Sequence, residues 1–280
     1  MNKILVFQSD FGVIEGTVAQ MYGVALSIDP SLKLLDITHN VPQFDTWSAS
    51  HDLYQTIRFW PEGTVFVSVV DPGVGSNRQS VVAKTALNHY IVTPNNGTLT
   101  HVAKHIGITE LRLIDESKYR RPGSEHIHIF HGRDVYAYTG AYLASGKARF
   151  EEIGNELALA SIVSHELIDP IISDRNLQGI IEIDDPHFGM VWTNIPSDAL
   201  FQMGVTYGDS LNIEIKHQDM VKYSHVIPLA KSFAYVDKGD DLVYVNEMGN
   251  LAIATNLENF TQKRGIGFGS DWKVTISPKS

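Results

Sequence analysis

The sequence predicts an α/β protein with an N-terminal domain on a mostly parallel sheet and a C-terminal all-β barrel domain. In the first half of the chain, short apolar runs alternate with segments of helical periodicity, which is typical of an open, largely parallel sheet. Beyond Phe150 the helical pattern fades and short alternating runs follow one another, which is typical of a small barrel. We therefore predict an α/β domain at residues 1–165, a linker at 166–176 and a barrel domain at 177–280.

The predicted elements follow from apolar runs that end at polar, Gly or Pro residues, and from apolar residues at helical spacing. In the first domain the predicted strands are 3–7, 32–38, 64–70, 80–86, 90–92, 110–114 and 126–130. The predicted helices between them are 14–28, 46–60, 99–106 and 134–145. In the second domain the predicted strands are 179–183, 190–194, 211–216, 232–236, 242–245, 251–255 and 272–276.

Composition excludes several classes of protein. The net charge of -10 disfavours a nucleic-acid partner, because binding to phosphates needs a basic surface. The sequence has 0 cysteines, which excludes disulfides, thiolate catalysis and cysteine-ligated metals. The apolar run at 3–7 is too short for a signal peptide or a membrane span. We therefore expect a cytoplasmic enzyme or binding protein that acts on a small molecule, without a membrane partner.

An acid, a guanidinium and an imidazole follow two of the predicted strands. Asp71 and Arg78 flank a Gly-rich loop after strand 64–70, and His131 follows strand 126–130. Because sheets of this kind bind ligands at the carboxyl ends of their strands, these three residues are candidate catalytic residues. Two interpretations of Asp71 and Arg78 remain open. They form a salt bridge that only closes the loop, or Arg78 keeps Asp71 ionised and able to polarise water.

Asp10 and three aromatic residues are candidate ligand contacts, each with a structural alternative. Asp10 can accept hydrogen bonds from a ligand's hydroxyls, as acidic residues after strands do for ribose, or it can cap helix 14–28. Phe44, Phe188 and Trp192 can stack on a planar ring, although aromatic residues in apolar strands usually belong to the core.

The histidines of this region raise the question of a metal. His126, His128 and His131 are close in sequence, but the chain has no His-Glu-x-x-His or comparable ligand spacing. Three histidines on one strand rarely converge in a tetrahedron, so we predict no metal. The glycines at 73–75 belong to no Walker or G-x-G-x-x-G pattern, and we interpret them as residues that shape the loop.

Taken together, the motifs resemble the S-adenosylmethionine hydroxide adenosyltransferase family, also called S-adenosylmethionine hydrolases, which are relatives of the fluorinase and chlorinase. The similarity runs over nearly the whole chain. In order, the matching motifs are Ser9-Asp10-Phe11-Gly12, Val41-Pro42-Gln43-Phe44-Asp45, Phe59-Trp60-Pro61-Glu62-Gly63-Thr64, Val70-Asp71-Pro72-Gly73-Val74-Gly75 with Arg78, Pro94-Asn95-Asn96-Gly97, Phe130-His131-Gly132-Arg133-Asp134, Phe188-Gly189, Trp192-Thr193-Asn194-Ile195 and Val245-Asn246.

The resemblance implies an α/β domain, a β-barrel domain and a homotrimer whose active sites lie between neighbouring subunits. Asp71, Arg78 and His131 match the Asp, Arg and His triad of the hydrolytic members. In the halogenases the positions that match Asp71 and His131 are typically not an acid and an imidazole. The triad therefore favours water over halide as nucleophile.

The resemblance also implies contacts to the substrate. Asp10 matches the acceptor for the ribose hydroxyls, and Phe44 matches a wall of the pocket. Asp185 matches the carboxylate that holds the methionine ammonium. Phe188 and Trp192 match aromatic residues around the adenine.

Three residues depart from the family pattern near the substrate. Met190 stands where many relatives have an Asn that contacts the adenine edge, and we expect it to contact the substrate. Glu247 and Met248 stand where the halogenases have Ser and Arg near the methionine end, and we expect Glu247 also to contact the substrate. A Glu there can pair with the ammonium but repels the carboxylate.

The implied function is hydrolysis of S-adenosyl-L-methionine at the ribose C5′, which gives adenosine and L-methionine. S-adenosyl-L-methionine is then the substrate, and the reaction needs no cofactor. Two alternatives remain, which are a non-catalytic module that binds adenosine or S-adenosylmethionine, and an adenosyltransferase that uses a halide.

Overall fold

A computed structural model describes residues 2–279 of the chain. It divides into two compact units, Met1–His165 and Glu166–Ser280. Among the described residues, no helix is both long enough and apolar enough to cross a membrane.

The first unit contains a seven-stranded sheet flanked by helices. Its strands are β1 (Ile4–Ser9), β2 (Lys33–Thr38), β3 (Val65–Val69), β4 (Ser80–Thr85), β5 (Tyr90–Pro94), β6 (Ile108–Leu113) and β7 (Glu156–Leu157). Its α-helices are α1 (Thr17–Ile28), α2 (Thr46–Ile57), α3 (Thr100–His105) and α4 (Tyr138–Ser145). A π-helix at Gly132–Ala137 leads directly into α4, and short 3₁₀ turns lie at Phe150–Glu152 and Leu159–Ser161.

The strands of this sheet lie in the order β2-β1-β3-β5-β4-β6-β7. Neighbours from β2 to β5 are parallel, whereas β4 is antiparallel to both β5 and β6. β6 therefore points the same way as β1, β2, β3 and β5, which makes the sheet mostly parallel, as predicted. The reversed β4 has a second effect, because it brings its own amino end to the edge where its parallel neighbours end.

Both faces of the sheet are buried, which explains the continuous apolar runs of its central strands. Leu5 and Phe7 of β1 pack in a core cluster with residues of α1 and α4. Val6, between them, packs on the opposite face with residues of α2 and α3. Asp45 caps α2, since its carboxylate accepts hydrogen bonds from the backbone N–H groups of Trp47 and Ser48.

Two predictions for this unit are wrong. Residues 126–130 form no strand, because they lie in an irregular loop in which Ile129 is 83% exposed and pairs with no neighbouring strand. Helix α1 begins at Thr17 rather than at residue 14, after an exposed turn. Residues 134–145 are helical as predicted, but the first part is the π-helix.

The second unit is an antiparallel sheet that nearly closes into a barrel. Its strands are β8 (Ile171–Ile172), β9 (Leu177–Asp185), β10 (Met190–Pro196), β11 (Ser210–His217), β12 (Met220–Pro228), β13 (Asp241–Val245), β14 (Asn250–Thr255) and β15 (Trp272–Pro278). They lie in the order β12-β11-β15-β9-β10-β14-β13, and β8 pairs with β9. Leu229, just after β12, forms a bridge with Val243 of β13, and this brings the two end strands together. Short helices α5 (Ser197–Gln202) and α6 (Phe260–Arg264) connect the strands.

The barrel prediction is correct in class but misses two features. Residues 232–236 form a 3₁₀ turn at Phe233–Tyr235 instead of a strand. Strand β12 was not predicted, because only Tyr223 and Ile227 of its nine residues are buried, which leaves little apolar alternation. The segment predicted as a linker contains β8.

A buried polar cluster lies inside the second unit around Asp241. Its carboxylate accepts hydrogen bonds from the Tyr223 hydroxyl at 2.8 Å, from Arg264 Nη2 at 2.8 Å and from the Thr255 hydroxyl at 2.5 Å. These partners belong to β12, α6 and β14. Asp241 of β13 therefore joins three separate elements of the barrel.

Candidate active site

The candidate catalytic residues lie at the carboxyl edge of the sheet in the first unit. Ser9 of β1 pairs with Val69 of β3, so Asp10 and Asp71 follow neighbouring strand ends. Arg78 reaches the same edge because it precedes the reversed strand β4. His131 precedes the π-helix, whose first residue packs beside Val69.

Asp71 and Arg78 form a forked ion pair. Arg78 Nη2 lies 2.5 Å from Asp71 Oδ2, and Arg78 Nε lies 2.9 Å from Asp71 Oδ1. The two side chains are 5% and 10% exposed, so the pair is largely removed from water. Gly75 shapes the intervening loop, because its φ of +79° is left-handed and a Cβ there would lie 3.0 Å from the His128 carbonyl oxygen.

His131 lies between two guanidinium groups. Its Nδ1 is 2.9 Å from Arg78 Nη2, and its Nε2 is 3.2 Å from Arg120 Nη2. Burial is the main reason that the pKa of His131 lies below its ordinary value, and the charges of Arg78 and Arg120 lower it further. Glu116 and Asp71 act in the opposite direction. The imidazole is therefore neutral at pH 7.

A closed ring of polar contacts connects this cluster. Arg78 Nη1 donates to the Ser80 hydroxyl at 3.0 Å, and that hydroxyl donates to Glu116 Oε1 at 3.1 Å. Glu116 Oε2 accepts from Arg120 Nη2 at 2.5 Å. The same Arg120 nitrogen contacts Nε2 of His131, and this contact closes the ring. Each charged group in the ring is thus fixed by at least two neighbours.

Tyr136 covers the ion pair from the π-helix. Its hydroxyl lies 3.5 Å from Asp71 Oδ2, and Arg78 Cζ lies 5.6 Å from the centre of its ring. Burial raises the pKa of Tyr136 above its ordinary value, so the hydroxyl stays protonated and can donate to the carboxylate.

Sequence reasoning missed the residues that surround the triad. Ser80, Glu116, Arg120 and Tyr136 were not among the candidates. Glu116 and Arg120 are four residues apart, but they lie in a turn rather than a helix, so their spacing does not predict that they pair. The contact of Arg120 with His131 depends on the tertiary fold and could not be inferred from spacing.

Asp10 holds the next loop of the site in an unusual conformation. Its Oδ2 accepts a hydrogen bond from the backbone N–H of Phe44 at 2.9 Å. Phe44 has a left-handed φ of 67°, and its side chain is 67% exposed. Asp10 does not cap α1, because the N-cap residue of that helix is Gly16. The capping interpretation of Asp10 is therefore wrong.

The remaining predicted contacts belong to the second unit. Asp185 and Met190 pair across the β9–β10 hairpin, and Asp185 Oδ1 accepts from the backbone N–H groups of His187 and Phe188 at 2.9 and 3.0 Å. The Phe188 side chain is 65% exposed, so it does not belong to a core. Trp192 is buried, at 8% exposure.

Tyr244, which sequence reasoning missed, connects these residues. Trp192 Nε1 donates to the Tyr244 hydroxyl at 3.2 Å, and the hydroxyl donates to Met190 Sδ at 2.5 Å. Burial raises the pKa of Tyr244, and the negative charges of Glu247 and Asp185 raise it further. The hydrogen bond from Trp192 acts on the pKa in the opposite direction.

A cavity of about 570 Å³ opens beside this group. It is lined by Phe188, Met190, Phe233 and residues 254–259. Small-molecule sites commonly have volumes of roughly 300–1,000 Å³ and apolar walls with few polar groups. The cavity therefore has the volume of a small-molecule site.

No group of three or more His, Asp or Glu side chains within residues 2–279 is arranged to hold a metal ion. His126 and His128 lie in the irregular loop before His131 rather than on a strand. The strand geometry on which the metal interpretation depended is therefore not present.

Comparison with known proteins shows two matches to family models. Residues 5–154 match the SAM hydroxide adenosyltransferase N-terminal domain, and residues 179–273 match the C-terminal domain of the same family.

Individual relatives agree with these matches. A protein of Methanocaldococcus jannaschii named (R)-S-adenosyl-L-methionine hydrolase is 31% identical, over 95% of this chain and 93% of that protein. A fluorinase of Nocardia brasiliensis is 29% identical, over 98% of this chain and 97% of that protein. The crystal structure of an uncharacterized conserved protein from Thermotoga maritima superposes with a TM-score of 0.87 at 33% identity, over 98% of this chain and 99% of that chain.

Proposed function

Because this chain belongs to the SAM (S-adenosylmethionine) hydroxide adenosyltransferase family, we propose that it is an enzyme that hydrolyses S-adenosyl-L-methionine to adenosine and L-methionine. One observation carries the choice of water over halide. Arg78 contacts both Asp71 and His131 in a largely buried cluster, and these are the groups needed to hold and deprotonate water.

The proposed reaction is a single displacement at the ribose C5′. A lone pair of the water oxygen forms the C5′–O bond, and the electron pair of the C5′–S bond stays on the sulfur of methionine. The sulfonium is already a good leaving group, so no general acid is required. The remaining task is to orient the water and remove its proton, and positioning in the best cases lowers a barrier by about 7–11 kcal/mol.

We assign the other predicted residues to substrate binding. Asp10 would accept the ribose hydroxyls, with Phe44 as a wall of the pocket. Asp185 would hold the methionine ammonium, and Phe188 and Trp192 would surround the adenine. Support for the adenine assignment comes from the exposed ring of Phe188 beside the cavity of about 570 Å³.

Two further assignments rest on the same family relationship. Met190 lines that cavity, and Met190 and Glu247 both occupy positions near the substrate in the family pattern, so both are proposed substrate contacts. We also propose a homotrimeric, cytoplasmic enzyme, and light scattering of the purified protein would test the number of subunits.

The direct test is product analysis. Purified protein is incubated with S-adenosyl-L-methionine in buffer with a chelator, and adenosine and methionine are separated by chromatography. We expect both products in equal amounts, and none above background from His131→Ala. A parallel reaction in high chloride tests the halide alternative, since 5′-chloro-5′-deoxyadenosine would then form. Absence of both nucleosides from the wild-type reaction would reject an adenosyl-transferring enzyme for this substrate.

Asp10→Asn is expected to raise the KM for S-adenosyl-L-methionine about tenfold or more, with little change in kcat. The amide oxygen can still accept from the backbone N–H of Phe44, so the loop is retained while the charged acceptor for the ribose is lost. Steady-state kinetics would measure both constants. Asp115→Asn, a substitution in a different loop of the same unit, is the control. An unchanged KM in Asp10→Asn would contradict the ribose assignment.

A further inference from the structure

The contacts on both sides of His131 restrict what the imidazole can do. A guanidinium only donates hydrogen bonds, whereas a neutral imidazole accepts at one nitrogen and donates at the other. With Arg78 at 2.9 Å from Nδ1 and Arg120 at 3.2 Å from Nε2, His131 can accept from only one of them. Its single N–H must point toward the other arginine.

The two distances indicate which nitrogen carries the hydrogen. We assign Nδ1 as the acceptor, because the contact from Arg78 is the shorter of the two. Nε2 then carries the hydrogen and faces Arg120, where two donors meet without an acceptor between them. An oxygen atom beside this contact, at about 3 Å from each nitrogen, would accept from both groups.

Arg120 is held in place by partners other than His131. Its Nη2 donates to Glu116 Oε2 at 2.5 Å and its Nη1 donates to the Ile127 carbonyl at 3.2 Å. The Arg120 side chain is 11% exposed, so little water is available to replace these contacts or to screen its charge. Arg120 thus presents a fixed positive charge to Nε2 of His131.

We propose that Arg120 and Glu116 are positioning residues for the hydrolysis, in which Arg120 contacts Nε2 of His131 and orients the nucleophile together with it, and Glu116 fixes Arg120. The catalytic meaning of this inference rests on the proposed function. Neutral His131 is required for this arrangement, because a second proton would create an imidazolium between two guanidinium groups. Neutral His131 and Arg120 orient the oxygen of the water.

The two members of the Arg120–Glu116 pair should move the titration of His131 in opposite directions. The groups that face this imidazole are Arg78, Arg120, Glu116, Asp71 and the ring of Tyr136. Loss of the positive charge in Arg120→Gln makes protonation of His131 easier, so its pKa rises. Loss of the negative charge in Glu116→Gln makes protonation harder, so its pKa falls. A loosened loop alone would not produce opposite changes from two partners of one ion pair.

The experiment is an NMR titration of the His131 ring protons in the full-length protein, without substrate. The resonance is assigned by its absence from His131→Gln. Relative to the wild type, we expect the midpoint to move up by about one pH unit in Arg120→Gln and down in Glu116→Gln. Lys118→Gln is the matched control, because Lys118 lies in the same loop but pairs with Asp115 at 2.9 Å and is 68% exposed. Shifts in the same direction, or shifts no larger than in Lys118→Gln, would overturn the proposal.

The rate profile supplies a second readout. Since activity requires neutral His131, the acid limb of the kcat profile should move to higher pH in Arg120→Gln and to lower pH in Glu116→Gln, with KM nearly unchanged. An acid limb that stays in place in both variants while kcat falls would show a purely structural role. If the wild type makes no adenosine, the proposed function fails, and the NMR titration still decides the state of His131. If Arg120→Gln does not fold, the downward shift in Glu116→Gln decides alone, and its absence overturns the proposal.

Discussion

Arg78→Ala is expected to lower kcat for adenosine formation by about 10²- to 10⁴-fold and to reduce the free energy of unfolding by about 3–5 kcal/mol. Arg78 is the one residue of the triad that contacts both of the others, through Asp71 Oδ2 and His131 Nδ1. Its removal leaves the carboxylate of Asp71, whose side chain is 5% exposed, without its ionic partner. Breaking a buried pair in this way costs much more than breaking a surface pair.

The two effects of Arg78→Ala can be measured separately. Turnover is followed by chromatography at a temperature where circular dichroism shows the variant to be folded, and stability is followed by urea unfolding. Arg78→Lys keeps the charge but not the forked geometry, so we expect it to recover stability more than turnover. Lys84→Ala is the control, because its ion pair with Glu110 on the same sheet is partly exposed, and such pairs contribute roughly 0–1 kcal/mol. Full turnover in Arg78→Ala would remove Arg78 from the mechanism.

Asp241→Ala is expected to lower the free energy of unfolding by about 3–5 kcal/mol. The carboxylate is buried, with 4% of its side chain exposed, and it accepts hydrogen bonds from Tyr223, Thr255 and Arg264. Without it, three donors from three elements of the barrel lose their acceptor at once, and one of them is a cation. An unsatisfied buried group of this kind costs its full desolvation.

Urea unfolding of the two variants Asp241→Ala and Glu258→Ala would test this expectation. Glu258 also pairs with a cation of helix α6, at 2.7 Å from Lys263, but its side chain is 40% exposed. We expect the unfolding midpoint of Glu258→Ala to stay close to that of the wild type. Equal midpoints for the two variants would show that the Asp241 cluster does not stabilise the barrel.

The fold class could be predicted because its signals are local. Continuous apolar runs marked the strands that are buried on both faces, and the loss of helical periodicity marked the barrel. The alternation of apolar and polar residues wrongly predicted a strand at residues 126–130. The apolar residue Ile129 there faces solvent and is 83% exposed. The same pattern did not predict β12, because most residues of this strand are exposed although the strand pairs with β11.

The candidate site was predictable in part, for the same reason. Asp71 and Arg78 are seven residues apart across one Gly-rich loop, so their pairing could be anticipated from sequence. The reversal of β4, which brings Arg78 to the carboxyl edge, could not. Arg120 and Glu116 reach the triad only through the tertiary fold, and the contacts of Tyr244 join separate strands of the barrel.

The π-helix at Gly132–Ala137 also fixes the angular position of the histidine. A π-turn accommodates one more residue than an α-turn, and one residue of α-helix corresponds to a rotation of about 100°. His131, which directly precedes this segment, is therefore rotated about the axis of α4 relative to its position in a continuous α-helix. We expect the deletion of one residue from it to favour α-helical winding and to move His131 away from Arg78, while the apolar residues of α4 keep their places in the core. The π-helix thus determines the direction of the His131 side chain without changing how α4 packs in the core.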